Sequence, residues 1–137
     1  MKVTDIPFVQ HVGIAQKDEK TLQLEATKEV KNHIDTIHAS AQFTLAESQS
    51  GLFLQQLFPE YVGKVVPLLR SSSLKYKAPA LKEIYATATV SNEEKEKFLI
   101  RFTKKGRATI LVAVKIIDSN DTLTMQGEFS WFVQKII

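Results

Sequence analysis

The sequence contains no cysteine, which excludes disulfides, thiolate nucleophiles and cysteine-ligated zinc or iron–sulfur sites. No uncharged apolar run reaches the ~18 residues that a membrane-spanning helix requires. The opening MKVTDIPFVQH lacks the apolar stretch of a secretory signal. The expectation is therefore a soluble, cytoplasmic protein with no membrane partner. Internal repeats, low-complexity tracts and linkers are also missing. The lysines are spread along the chain and no basic cluster is interleaved with aromatics, so no nucleic-acid partner is expected. Nothing in the sequence groups metal-ligating residues.

What is present is ordinary globular composition. The 137 residues fit one compact domain, 1–137, with no room for a second. Apolar residues make up 44% of the chain and charged residues 24%, enough to build a core without disulfide or metal staples. The net charge of +3 and the pI near 9.1 suit an anionic ligand such as a phosphorylated cofactor.

Period-two alternation, the mark of a half-buried strand, begins at Val12 and Ile14 and returns at Leu22, Leu24 and Ala26. Lys17–Lys20 between them reads as a hairpin turn. A polar loop, KNHIDTI, leads into HASAQFTLAESQSGLFLQQLF, which has helical apolar spacing and ends at Pro59. Its many small residues let other backbone approach closely, which predicts a central helix wrapped by something else. Alternation resumes at Leu74 and Tyr76, stops at Pro79, and returns from Ile84 to Val90. Ser91-x-x-Glu94 reads as a capping box opening a short helix with Phe98, Leu99 and Phe102 on one face, closed at Lys104-Lys105-Gly106. The last third is a hairpin. Ala108–Ile117 forms one strand and residues 118–121 the turn. The second strand carries Leu123, Met125, Phe129, Trp131 and Val133 on one face, and Thr124, Gln126, Glu128 and Ser130 on the other. The fold class is α+β: a largely antiparallel sheet around one long helix, with a short extra helix between the fourth and fifth strands.

Glu47 is the only formally charged side chain between Thr36 and Pro59. A carboxylate buried there would be desolvated, which raises its pKa toward values useful for proton transfer near neutral pH. The same residue pointing to solvent, or paired with a base from elsewhere, would be structural. His38 stands where the helix begins. Asn32 and Asp35 are turn or cap formers. The N–H groups of Ala39 and Ser40 should point out of the helix N-terminus, where an oxyanion is readily held.

Taken together, Asn32-x5-His38-Ala39-Ser40-Ala41-x-Phe43-x-Leu45-Ala46-Glu47 resembles the signature of hot-dog thioesterases of the phenylacetate-pathway type. In that family an Asn precedes His-Gly-Gly and a helix reading roughly Phe-x-Leu-Ala-Asp/Glu. Leu74–Ala80 is similar to the family's strand that ends in a Pro-Ala turn beside the ligand. The helix at about 93–105 is similar to that of a bacterial branch of the superfamily. The resemblance implies a hot-dog fold and an acyl thioester substrate on coenzyme A or a carrier protein. No separate cofactor is implied, since coenzyme A is part of the substrate. Glu47 would be the general base or nucleophile, the Ala39 N–H would polarise the carbonyl, and Asn32 or His38 would orient water or substrate. Ser40 and Tyr76 would line the substrate site, and Lys75 and Lys77, with Arg70, would meet cofactor phosphates. Lys104, Lys105 and Arg107 form a second basic group. In place of the family's two glycines stand Ala39 and Ser40, whose side chains narrow or reshape the oxyanion site.

Ala39 and Glu47 are eight residues apart, so about 12 Å apart along one helix. An oxyanion donor and a base must converge to roughly 3 Å of the reacting atoms. Two helices related by a two-fold axis satisfy this with two equivalent sites, so the expectation is a homodimer, or a tetramer built from it. Two other readings stay open. A dehydratase or hydratase is suggested by His33, fourteen residues before Glu47, although the proline-rich segment of such enzymes is missing. A non-catalytic acyl-ligand binder is suggested by Ala39-Ser40.

Overall fold

In a computed structural model, which describes residues 1–136, the alternating segments form a six-stranded sheet. The strands are β1 (Ala15–Gln16), β2 (Leu22–Leu24), β3 (Val65–Tyr76), β4 (Ile84–Thr89), β5 (Arg107–Asp118) and β6 (Leu123–Lys135). Their order is β1-β2-β4-β5-β6-β3, and every neighbouring pair is antiparallel. The helices are α1 (Pro7–Val12), α2 (Ala39–Leu57) and α3 (Asn92–Lys105). This is the hot-dog arrangement, a sheet curled around one long helix. Among the described residues no helix is long and apolar enough to cross a membrane.

The wrapping explains the composition of α2. Ala41, Gln42, Thr44, Leu45, Ala46, Ser48, Gln49, Ser50, Leu52 and Leu54 are all buried, and no single stripe of a helix contains them all. Two glutamines survive there because both are bonded. Gln49 accepts from the Leu22 N–H at 2.8 Å and donates to the Lys20 carbonyl at 2.8 Å, which ties the β1–β2 hairpin to the helix. The Gln42 Oε1 accepts from the Thr124 hydroxyl at 3.0 Å. Buried polar groups satisfied in this way fix register as well as contributing about 1 kcal/mol each.

Two expectations are corrected. Val12 lies in a helix rather than a strand. Pro7 sits at its first turn, where the missing N–H is harmless, and Gly13 ends it with φ 92°, leaving only Ala15–Gln16 to pair. In β6 the partner register shifts between Ile116↔Met125 and Ile117↔Leu123. This bulge at Thr124 turns that side chain inward beside Met125 and leaves Leu123 half-exposed. A second bulge, between Leu69 and Ser71, interrupts β3.

Where β4 stops, α3 takes over the flank of β5. Ser91 caps α3 by accepting from the Glu94 N–H at 3.1 Å. The Glu94 carboxylate does not return to close the capping box but accepts from the Leu111 N–H at 3.4 Å. Phe98 and Phe102 stack at 5.3 Å and meet Phe58 and Tyr61 at the end of α2. At the other flank β3 is the edge of the sheet. It brings Tyr76 to the start of α2, while β6 carries Phe129 and Trp131 beneath the helix.

Candidate active site

Ser40, Glu47 and Gly51, at spacings of seven and four, share one strip of α2. It is the strip the sheet does not cover: Ser40 is exposed, and Glu47 and Gly51 are half-buried. One turn below Glu47, Phe43 packs on Phe129 with ring centres 5.6 Å apart. One turn above, the Trp131 indole N–H donates to the Ser50 hydroxyl at 2.8 Å, and the ring lies close enough to Gly51 that an added Cβ would meet it at 3.8 Å. The Ser50 hydroxyl in turn donates to the Glu47 carbonyl at 2.6 Å. The Glu47 carbonyl is thus tied through Ser50 to Trp131. Its carboxylate, among the described residues, has neither an ion-pair partner nor a hydrogen-bond donor. Burial, with no charge to offset it, pushes the Glu47 carboxyl above the usual carboxylate range.

The first turn of α2 is pinned with equal economy. The Ser40 N–H donates to His38 Nδ1 at 3.0 Å, so His38 is the helix cap, and its proton, when the ring is neutral, is on Nε2. The Ala41 and Gln42 N–H groups both donate to the His38 carbonyl, at 2.9 and 3.1 Å. The Tyr76 hydroxyl donates to the Ala39 carbonyl at 3.1 Å, and partial burial pushes this phenol up. Of the first four amides of α2, only that of Ala39 is left without a partner among the described residues. Sequence reasoning expected two free amides, at Ala39 and Ser40; the His38 ring takes the second. Ala39 and Ser40 lie inside the helix, and neither is among the residues with positive φ, so glycine is not needed there for backbone conformation.

Asn32 organises the loop before α2. Its Oδ1 accepts from the Ile34 and Thr36 N–H groups, both at 3.0 Å, and its Nδ2 donates to the Thr36 hydroxyl at 2.8 Å. These bonds hold Asp35 at φ 65°, a left-handed position that Asp tolerates, where its carboxylate pairs with Lys31 at 3.3 Å. Most of Asn32's bonding capacity is therefore committed to the loop. His33 is exposed on that loop.

The cations are dispersed. Val114 is buried and opposite Gly127, which is opposite Leu74; by alternation Tyr76 shares their face and Lys75 takes the other. Tyr76 therefore reaches α2, and Lys75 lies on the sheet face turned away from it, with Lys115 and Glu128 around a shallow cleft. Lys77 follows the strand, exposed. Arg70, at the bulge, stacks on the Phe132 ring at 4.4 Å. Lys104 and Lys105 lie in the last turn of α3 and Arg107 opens β5. Among the described residues no group of three metal-ligating side chains occurs. The Tyr76–Ala39 bond carries no signal in the sequence, since it depends on where the edge strand meets the helix.

A family described as a domain of unknown function, DUF4442, matches residues 6–133. No curated protein matches the chain. Among solved structures, a protein of unknown function and probable thioesterase from Pseudomonas aeruginosa superposes with a TM-score of 0.81 at 20% identity, covering 98% of this chain and 91% of its own. A thioesterase from Haemophilus influenzae gives 0.76 at 15% identity, covering 98% and 87%. A Bacillus halodurans protein crystallised with CoA gives 0.70 at 16% identity, covering 96% and 85%.

Proposed function

The chain belongs to the DUF4442 family, and from that premise and its hot-dog fold we propose that it hydrolyses an acyl thioester carried on coenzyme A or a carrier protein. The observation that carries the reading is Glu47, an unpaired and half-buried carboxylate on the uncovered strip of α2. A carboxylate made more basic by desolvation is suited to take a proton from water. In the reaction, water attacks the thioester carbonyl carbon as Glu47 accepts its proton. The oxyanion forms against the Ala39 N–H, the carbon–sulfur bond breaks, and the proton passes to the departing thiolate. Direct attack by Glu47, giving an anhydride that water then opens, uses the same geometry.

Ala39 and Glu47 of one helix are too far apart to serve one carbonyl, so the site takes Ala39 from one protomer and Glu47 from its partner. β3 favours such a dimer. It is a twelve-residue edge strand with most side chains exposed, Val66, Leu68 and Tyr76 among them, and long bare edges pair with other strands. Its two-fold pairing with a second β3 gives an isologous dimer with two sites. Coenzyme A enters only as part of the substrate, and the Bacillus halodurans relative, crystallised with CoA, supports that carrier. Purified protein should release free thiol from one or more of a panel of acyl-coenzyme A thioesters. Binding without release from any of them would instead support an acyl-ligand binder, a reading favoured by the loss of the Ser40 amide to His38.

A further inference from the structure

α1 stands off the first two turns of α2 and leaves between them a groove of about 290 Å³. The groove lies within one protomer; Glu47 is not among the residues that line it, though Ser40, on the same strip of α2, stands at one end. Its α1 wall is made by Phe8 and Val12, one turn apart, while Val9 between them is buried in the core. Phe8 is 62% exposed, a large aromatic at the rim of a groove with nothing over it. The floor and far wall are Val30, Ala41 and Thr44. Ala41 is too small to fill the space, and the Thr44 hydroxyl is already committed to the Ser40 carbonyl at 2.9 Å. One end of the groove is formed by His38 and Ser40, the residues on either side of the unpaired Ala39 amide.

Resting on the thioesterase reading, we propose that this groove holds the acyl chain, and that α1 measures its length. A thioester whose carbonyl oxygen sits on the Ala39 N–H has two substituents to place, a neutral acyl chain and a leaving group bearing phosphates. The formal charges lining the groove are one lysine and one glutamate, Lys31 and Glu29, and Lys31 is already paired with Asp35. The groove therefore offers a polyanion no net attraction, while Phe8, Val12, Val30 and Ala41 offer apolar surface. A groove of this size has room for an acyl chain of several carbons.

Val12→Trp fills the groove from a position that touches neither Glu47 nor the Ala39 amide. In the variant, the ratio of kcat/KM on decanoyl-coenzyme A to that on acetyl-coenzyme A should fall at least about tenfold. Decanoate titrated into the unsubstituted protein should shift the methyl resonances of Val12, Val30 and Ala41, a readout that needs no turnover. If the parent protein cleaves no thioester but those resonances shift, the hydrolase reading falls and the acyl groove stands. If the resonances do not move, or Val12→Trp leaves the chain-length profile unchanged in a folded protein, the groove is not the acyl site.

Discussion

Replacing Glu47 by Gln separates chemistry from folding with a change of one atom. Glutamine keeps the shape, and the Ser50 and Trp131 contacts reach the backbone and neighbours of residue 47 rather than its carboxylate. The lost group is the proposed base, so turnover should fall by roughly 10²–10⁴, or about 3–5 kcal/mol of transition-state stabilisation at 1.36 kcal/mol per decade. Stability should move the other way. Burial raises the folded-state pKa of Glu47 above its unfolded value, so the folded protein holds this proton more tightly. Stability is then greatest below the ordinary carboxylate pKa and declines as pH rises through the raised one. Gln escapes that decline. The variant should melt at or above the temperature of the parent protein at pH 8, and the difference should shrink as pH falls toward 4. Thiol release and thermal melts across that range decide both halves. Turnover within about threefold of the parent, or a clear drop in melting temperature at pH 8, would refute the picture of an unpaired catalytic carboxylate.

Two further predictions concern the frame that holds the site. A Cβ on Gly127 would meet Leu74 Cδ2, lie 2.7 Å from the Ser73 carbonyl oxygen and 3.2 Å from Leu74 Cα; since backbone cannot yield as a side chain does, Gly127→Ala should destabilise by about 1–3 kcal/mol, seen as a lower midpoint in urea. Gln49→Ala orphans the buried Leu22 N–H and frees the Lys20 carbonyl. It should cost about 1–3 kcal/mol for the unsatisfied group and selectively speed hydrogen exchange at Leu22; equal protection in both proteins would show that the glutamine does not fasten the hairpin.

The sequence was most readable where one periodicity ruled. α3 and the long hairpin of β5 and β6 carry clean patterns, α2 stops just before Pro59 as expected, and Gly106 closes α3 in the left-handed conformation its position predicts. Reading failed where a local event broke the period. A bulge reversed Leu123 and Thr124, and at α1 a six-residue helix between Pro7 and Gly13 was too short to show a period distinct from a strand's. The candidate base was legible because Glu47 is the one charged residue in a long uncharged stretch. Its surroundings were less so. Asn32 is the turn former its position suggested, but His38 as an acceptor for Ser40 reduces the expected pair of free amides to one, and Tyr76 on the Ala39 carbonyl follows from three-dimensional placement.

The central claim, thioester cleavage at a site shared by two protomers, is tested most directly by mixing two inactive variants. Ala39 is the first residue of α2, and His38 before it has φ −61° and ψ 141°, a conformation compatible with a following proline. Ala39→Pro therefore deletes the proposed oxyanion N–H while sparing the helix, and Glu47→Gln deletes the proposed base. Each alone should be inactive on acyl-coenzyme A. Unfolded and refolded together, they should recover about a quarter of the parent activity, because half the dimers are mixed and each mixed dimer has one intact site. A mixture as inactive as its components would contradict the shared site.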